Sequence, residues 1–409
     1  MSTDPLGDVV SQQYERWVYP APIQDLEEWL RDSWQWFDPS HAHRLMWPDR
    51  DYLPGMDILV AGCGTNQAAV IAYTNPAARV IAIDVSSASL DHHRSLKDRY
   101  DLTNLELHQL PIEDVASLAR DFDLIITTGV LHHMTDPAAG MRALAGLLRR
   151  DGVLAVMLYA NYGRIGVQMM QSVFKDLGLQ QDEASLDVVR DAINQLSPLH
   201  PLASYLQIAP DLGDDAGVVD TFLHGREEAY SIDECRELVS SAGLVFQDVY
   251  LRASYYPPRP STSPFFSAVA KMPRERQWSI MQRINASNAC HYFLACRPER
   301  PVDSYAIDFD SDSALDYVPS FRKACGPHGA AVRRHDGWTR DLTALQASLV
   351  ERVDGHLSIL EIIDAVLSGG AFARADRKEV TTLARETFAS LWQQDFLAVS
   401  LVTLEPRKG

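Results

Sequence analysis

The sequence predicts an α/β protein built on an open, mostly parallel sheet, and three stretches carry that prediction. The apolar run Ile58-Leu59-Val60-Ala61 has strand length. It leads through a small-residue turn, Gly62-Cys63-Gly64-Thr65, to a helix start over 68–73, and a second apolar run over 79–83 ends on Asp84. Strand, tight loop, helix, strand is one βαβ unit. Phe122-Asp123-Leu124-Ile125-Ile126-Thr127-Thr128-Gly129 reads as a further buried strand closing on a glycine. Leu147-Leu148-Arg149-Arg150-Asp151-Gly152-Val153-Leu154 reads as a turn into the next one.

The first loop suggests ligand chemistry. Glycines let a backbone approach a ligand without a Cβ in the way. The helix behind the loop presents free N–H groups and a partial positive charge, which suits a carboxylate or phosphate. Asp84 follows Gly64 by about 20 residues, where such folds place an acid that accepts from ribose hydroxyls. A dinucleotide fingerprint needs a third glycine three residues after the second, and Gln67 stands there. An NAD(P) oxidoreductase is thereby disfavoured.

The three stretches together resemble class I S-adenosylmethionine (SAM) methyltransferases. The glycine turn matches their motif I, with Val60 where many members carry an acid. Residues 122–134, ending Gly129-Val130-Leu131-His132-His133-Met134, resemble the fourth-strand motif, and 147–154 the turn into the fifth strand with two substitutions. The resemblance spans residues 10–300. It implies a seven-stranded Rossmann-like sheet with SAM as cofactor. In that reading Gly62, Gly64 and Thr65 meet the methionine end, with Ala61, Cys63 and Gln67 beside them. Asp84, flanked by Val85 and Ser86, takes the ribose. Leu110 and Ile112, with Pro111 between, bracket adenine, and Glu113 or Asp114 accepts from its amine; the alternative for this stretch is a loop and helix cap. Gly129, Val130 and Leu131 line the methyl side.

Residues 1–50 are read as a partly helical, aromatic-rich arm. Gln13 to Pro20 resembles the lead-in of a bacterial methyltransferase subgroup, which implies a lid with Tyr14 or Tyr19 touching SAM; the alternative is that the rings only dock the arm. His132 or His133 is a general-base candidate because imidazole titrates near neutrality. His132 is taken as the catalytic one and His133 as a substrate contact, against the alternative that the pair packs and orients the following helix. The helix over 137–150, with Pro137 at its start, leads to a fifth strand over 153–159. The insertion over 161–226 is expected to build the substrate pocket. Tyr159, Arg164, His224 and Arg226 are its candidate substrate contacts, with a structural role as the alternative for each. Ser231-Ile232-Asp233-Glu234 reads as a capping box. Residues 244–250 read as the sixth strand and 290–297 as an antiparallel seventh, with Cys290, His291 and Cys296 as its core rather than metal ligands.

Composition shifts after Arg297. Residues 301–316 read as a linker and 317–409 as a separate small α+β domain. Leu342, Leu345, Leu349 and Val353 share a helical face, Ser358 opens a second helix, a third follows, and 396–404 closes as a strand. This unit loosely resembles PqqD-like winged-helix domains, with Asp395 in place of a glycine at the last turn. The resemblance implies peptide capture or nucleic-acid contact; a packing or dimerisation appendage is the alternative.

The chain has 409 residues, 46% hydrophobic, and a net charge of −18. That length suggests two or three domains. The charge disfavours nucleic acid and anionic membranes as partners. Five cysteines at irregular spacing indicate neither a disulfide framework nor a metal site. No apolar run approaches membrane-spanning length and the first ten residues do not read as a secretory signal, so the cytoplasm is the expected compartment. The expected function is methyl transfer from SAM to a small-molecule or peptide acceptor, with a homodimer possible. An RNA- or protein-modifying enzyme and a non-catalytic SAM-binding protein are the alternatives.

Overall fold

The structure is a computed structural model that describes residues 8–259, 261–285 and 287–401. The chain forms two compact units. One takes the residues up to Phe37, Pro54–Val249 and Gln282–Glu299. The other takes Asp38–Leu53, Tyr250–Met281 and the chain from Arg300 onward. This division does not follow the composition boundaries: residues 38–53 and 250–281 fold with the C-terminal part.

The first unit holds a seven-stranded sheet: β1 (Asp57–Ala61), β2 (Arg79–Asp84), β3 (Leu105–Gln109), β4 (Phe122–Thr128), β5 (Leu148–Tyr159), β6 (Val245–Val249) and β7 (Cys290–Cys296). Their order is β3-β2-β1-β4-β5-β7-β6. β1 to β5 are parallel, and β7 runs antiparallel between β5 and β6. Ile58, Leu59 and Val60 of β1 and Leu124, Ile125 and Ile126 of β4 are wholly buried. Strands covered on both faces read as unbroken apolar runs, which is why these two were visible in the sequence. β5 starts at Leu148 rather than 153, and the helix before it, Pro137–Gly146, ends correspondingly early. The register of β5 against β4 shifts between Phe122 and Leu124, a bulge that the apolar pattern does not encode.

Between β1 and β4 the winding direction of the sheet reverses. The loops after these strands diverge there and leave a crevice beyond their carboxyl ends. The insertion after β5 folds as helices Ile165–Asp176, Glu183–Gln195, Leu202–Leu206 and Asp215–Phe222. They pack around Val167, Met170, Phe174, Val189, Leu202 and Val219, a core of their own. The arm contributes helices Val9–Arg16 and Leu26–Asp32. Its following rings dock on β7, with Trp36 and Phe37 against Tyr292.

In the second unit, helices Ala344–Val350, Ile359–Leu367 and Arg377–Gln393 accompany a two-stranded pairing of Val318–Phe321 with Leu397–Ser400. The capping box at Ser358 is present, its hydroxyl accepting from Glu361 N. The first of these helices is shorter than expected and leaves Leu342 and Val353 outside it. The closing strand ends at Ser400, and residues 402–404 of the expected strand lie outside the described residues. Residues 326–341 form a small three-stranded sheet that the sequence reading did not anticipate. The segment read as a linker carries turns at Val302–Ser304 and Asp312–Asp316 and buries Ile307, Phe309 and Ala314. Asp395 adopts a left-handed φ of 65°, a conformation that favours glycine. Its carboxylate accepts from Arg252 N at 2.9 Å and Ala253 N at 2.8 Å and pairs with Arg322, contacts that a glycine would not make.

Candidate active site

A cavity of about 1710 Å³ opens in the crevice of the first unit. Ligand pockets of drug size occupy roughly 300–1,000 Å³, so this one has room for a nucleoside-sized cofactor and a second molecule. Its lining draws on the ends of β1, β2, β4 and β5, the arm and the insertion.

The glycine loop forms one wall. Gly62 has φ +73°, and a Cβ there would lie 2.3 Å from Val130 Cγ2. Only glycine lets the β1 turn pass the β4 turn so closely. Gly64, at φ +52°, donates its N–H to Asp84 Oδ2 at 2.8 Å. Asp84 Oδ1 accepts from Ser86 N at 2.9 Å. A carboxylate offers about four acceptor positions, so two remain for hydroxyls from the cavity. Burial pushes the Asp84 carboxyl up to about 6, against the pull of the Ser86 and Gly64 N–H groups.

Of the residues expected around the cofactor, Tyr19, Gly62, Cys63, Gly64, Gln67, Asp84, Val85, Leu110, Ile112, Gly129 and Val130 line the cavity. Ala61, Thr65, Ser86, Pro111 and Leu131 are not among the lining residues, for identifiable reasons. Ala61 and Leu131 are wholly buried in the core. Thr65 donates its hydroxyl to Pro20 O at 2.7 Å and so holds the arm. Ser86 caps its helix by accepting from Ser89 N at 3.1 Å. Pro111 precedes the turn Ile112–Leu118 as its cap. Asn66, absent from the expected set, lines the cavity and clamps the arm, accepting from Ile23 N at 2.8 Å and donating to Ala21 O at 2.9 Å.

The two histidines differ sharply. His132 lies 1% exposed, stacked on Tyr159 at 4.0 Å, with neither ring nitrogen hydrogen-bonded among the described residues. Burial depresses its pKa well below the usual range. It is a packing residue outside the cavity wall, so the expectation of a base at His132 is corrected. His133 lines the cavity. Its Nδ1 lies 2.9 Å from Arg226 O, which accepts the ring proton and leaves Nε2 with its lone pair. Burial lowers the His133 pKa, so the ring is neutral at pH 7.

Arg164 and Arg226 reach the wall already paired. Arg164 meets Glu227 at 2.9 and 3.0 Å, donates to Tyr205 Oη at 2.9 Å and lies 3.7 Å over the Tyr159 ring. Burial alone would lower its pKa, but the Glu227 carboxylate outweighs that and raises it. Arg226 pairs with Asp8 at 2.6 Å and donates to His133 O at 2.7 Å, which ties the arm to the loop after β4. His224 is not among the lining residues; it stacks on His133 at 3.8 Å.

Asp220, within the insertion expected to build the substrate pocket but not singled out, is 2% exposed in the wall. It accepts from Tyr14 Oη at 2.8 Å and from Tyr159 Oη at 3.0 Å. An acid between Val218, Val219 and Phe222, three buried residues of one short helix, was the available signal. His133, Asp220 and His224 bring ligand-type atoms within 4.8 Å of one another. The two rings are nearly parallel, at 17°, so their in-plane lone pairs do not converge on one point. His224 Nδ1 also already accepts from Arg226 N at 3.0 Å. The trio is a packed cluster, with Tyr14 Oη between Asp220 and His224, rather than a metal centre.

A Rossmann-like sheet with a glycine turn after β1, an acid ending β2 and a cavity over β4 is the arrangement of Rossmann-like methyltransferase folds. A family model described as a methyltransferase domain matches residues 53–197. An uncharacterized protein of Synechococcus sp. is 30% identical over 268 residues, 63% of this chain and 63% of that protein. The ubiquinone biosynthesis O-methyltransferase of Acinetobacter baylyi is 30% identical over 144 residues, 33% of this chain and 60% of that enzyme. The chain thus spans less than two thirds of the length of these relatives. The solved structure of PKMT2 from Rickettsia typhi, 16% identical, matches in fold over 93% of this chain and 77% of that one, with a TM-score of 0.66. Residues 53–197 thus match a methyltransferase domain, and the fold is that of Rossmann-like methyltransferases.

Proposed function

We propose that this protein transfers a methyl group from SAM to a small-molecule or peptide acceptor bound beside β5. The observation that carries the reading is the convergence of the Gly62–Gly64 turn, the half-satisfied carboxylate of Asp84 and the Gly129–Val130 turn on one cavity. Their chemistry suits the cofactor's parts. Asp84 has acceptor positions left for two ribose hydroxyls, Leu110 and Ile112 offer apolar contact to adenine, and the Gly129–Val130 backbone borders the space where a methyl would be passed on. When bound, SAM supplies a methyl group on a positively charged sulfur.

The chain's own contribution is alignment and exclusion of water. The arm, clamped through Thr65, Asn66 and the Asp8–Arg226 pair, covers the cofactor side. His133 Nε2 is a neutral acceptor positioned to take a proton from the incoming nucleophile. Among the relatives, names such as ubiquinone biosynthesis O-methyltransferase and trans-aconitate 2-methyltransferase support the reaction class while differing in acceptor. PKMT2 has been solved in complex with AdoHcy. Mass spectrometry of ligands that copurify with the protein tests the reading, with SAM or S-adenosylhomocysteine expected. Calorimetry showing no heat with either compound and clear uptake of a pyridine dinucleotide would overturn it.

A further inference from the structure

We infer that the methyl acceptor is an amine that arrives as an ammonium ion and is seated by Asp220. This deepens the reading above and rests on it. The charges on the acceptor side of the cavity are the reason. The two cationic side chains in the wall, Arg164 and Arg226, are spent on Glu227 and Asp8. Asp220, by contrast, makes no ion pair among the described residues. Its two oxygens are met only by the hydroxyls of Tyr14 and Tyr159. The imidazoles beside it, His133 and His224, are held neutral by burial. A buried carboxylate without a counter-ion is costly, and a cavity wall lined by one keeps its attraction for a cation from the cavity.

Two cations are candidates: the positively charged methionine end of SAM and the acceptor. The topology favours the acceptor. Asp84 and the glycine turn lie on β2 and β1, the methyl side is at the end of β4, and Asp220 stands with Tyr159 at the end of β5, one strand further on. A carboxylate substrate finds no free cation here, and an alcohol leaves Asp220 uncompensated.

The step balances as follows. The ammonium gives one N–H proton to His133 Nε2, which frees the nitrogen lone pair. That pair forms the new N–C bond while the C–S bonding pair returns to sulfur. The products are an N-methylammonium, again a cation beside Asp220, and the neutral thioether S-adenosylhomocysteine. The proton on His133 then leaves to solvent.

The test uses the full chain saturated with S-adenosylhomocysteine and three probes of one shape: benzylamine, benzyl alcohol and benzoate, titrated calorimetrically. A charge-assisted contact predicts that benzylammonium binds at least about tenfold more tightly than either partner. The preference should fall to near unity in Asp220→Asn, with S-adenosylhomocysteine affinity kept as evidence of folding; Tyr14→Phe, a milder change, should reduce it in part. Equal or tighter binding of the alcohol or benzoate, or a preference that survives in Asp220→Asn, overturns the inference and leaves the methyl-transfer reading standing. So does an Asp220→Asn variant that loses SAM about tenfold more than S-adenosylhomocysteine, because the carboxylate would then serve the sulfonium. Absence of S-adenosylhomocysteine binding to the parent chain defeats both.

Discussion

Replacing Asp84 by alanine isolates the cofactor side of the site. The carboxylate has two acceptor positions beyond those filled by Gly64 N and Ser86 N. Two ribose hydroxyls donating to it are worth about 1.5–3 kcal/mol each. Water that enters the variant's cavity recovers part of this, so the net loss in SAM binding is about 2–4 kcal/mol, or about 30- to 900-fold in Kd. The folded state should tolerate the change. With its pKa raised from the ordinary 3.8 to about 6, the folded protein holds the Asp84 proton more tightly than the unfolded chain. Its contribution to stability therefore worsens as pH rises from 4 through 6, by about 3 kcal/mol at pH 8. Alanine removes that penalty. It also strips acceptors from two N–H groups, at about 1–3 kcal/mol each before water replaces them. The two effects nearly cancel, so the melting temperature at pH 8 should move little while isothermal calorimetry records the affinity loss. Unchanged SAM affinity in a folded Asp84→Ala variant would refute the ribose assignment.

Five further outcomes follow from the same geometry. SAM affinity of the parent should decline as pH falls through about 6, where Asp84 takes up its proton, and calorimetry between pH 5 and 8 reads this directly. His133→Ala should lower kcat by about 10²- to 10⁴-fold, the usual range for a general base, and remove the acid limb of the pH–rate profile, which lies below the ordinary imidazole range. His132→Phe, at the packing position, should stay within about tenfold of the parent, and a larger loss would return the base to His132. Gly62→Ala forces a side chain into the left-handed region and against Val130, costing about 2–4 kcal/mol, measurable by urea unfolding. Arg164→Ala strands the buried Glu227 carboxylate and should cost about 3–5 kcal/mol in the same assay.

The sequence by itself determined the sheet and the glycine turn after its first strand. β1 and β4 are buried on both faces, so their apolar runs are unbroken; the positive φ of Gly62 and Gly64 needs glycine; Asp84 ends an apolar strand. Each signal is local, because the physical demand falls on consecutive residues. Only the tertiary structure decided which histidine of a adjacent pair faces the cavity, that Thr65 holds the arm while Asn66 joins the wall, and that Arg164 and Arg226 are already paired. It also brought Asp220 to Tyr14, 206 positions away, and to Tyr159, 61 positions away. A lone acid in an apolar helix shows in sequence that it is buried, but which hydroxyls meet it, and whether any cation does, depends on chain segments that meet only when the whole domain folds.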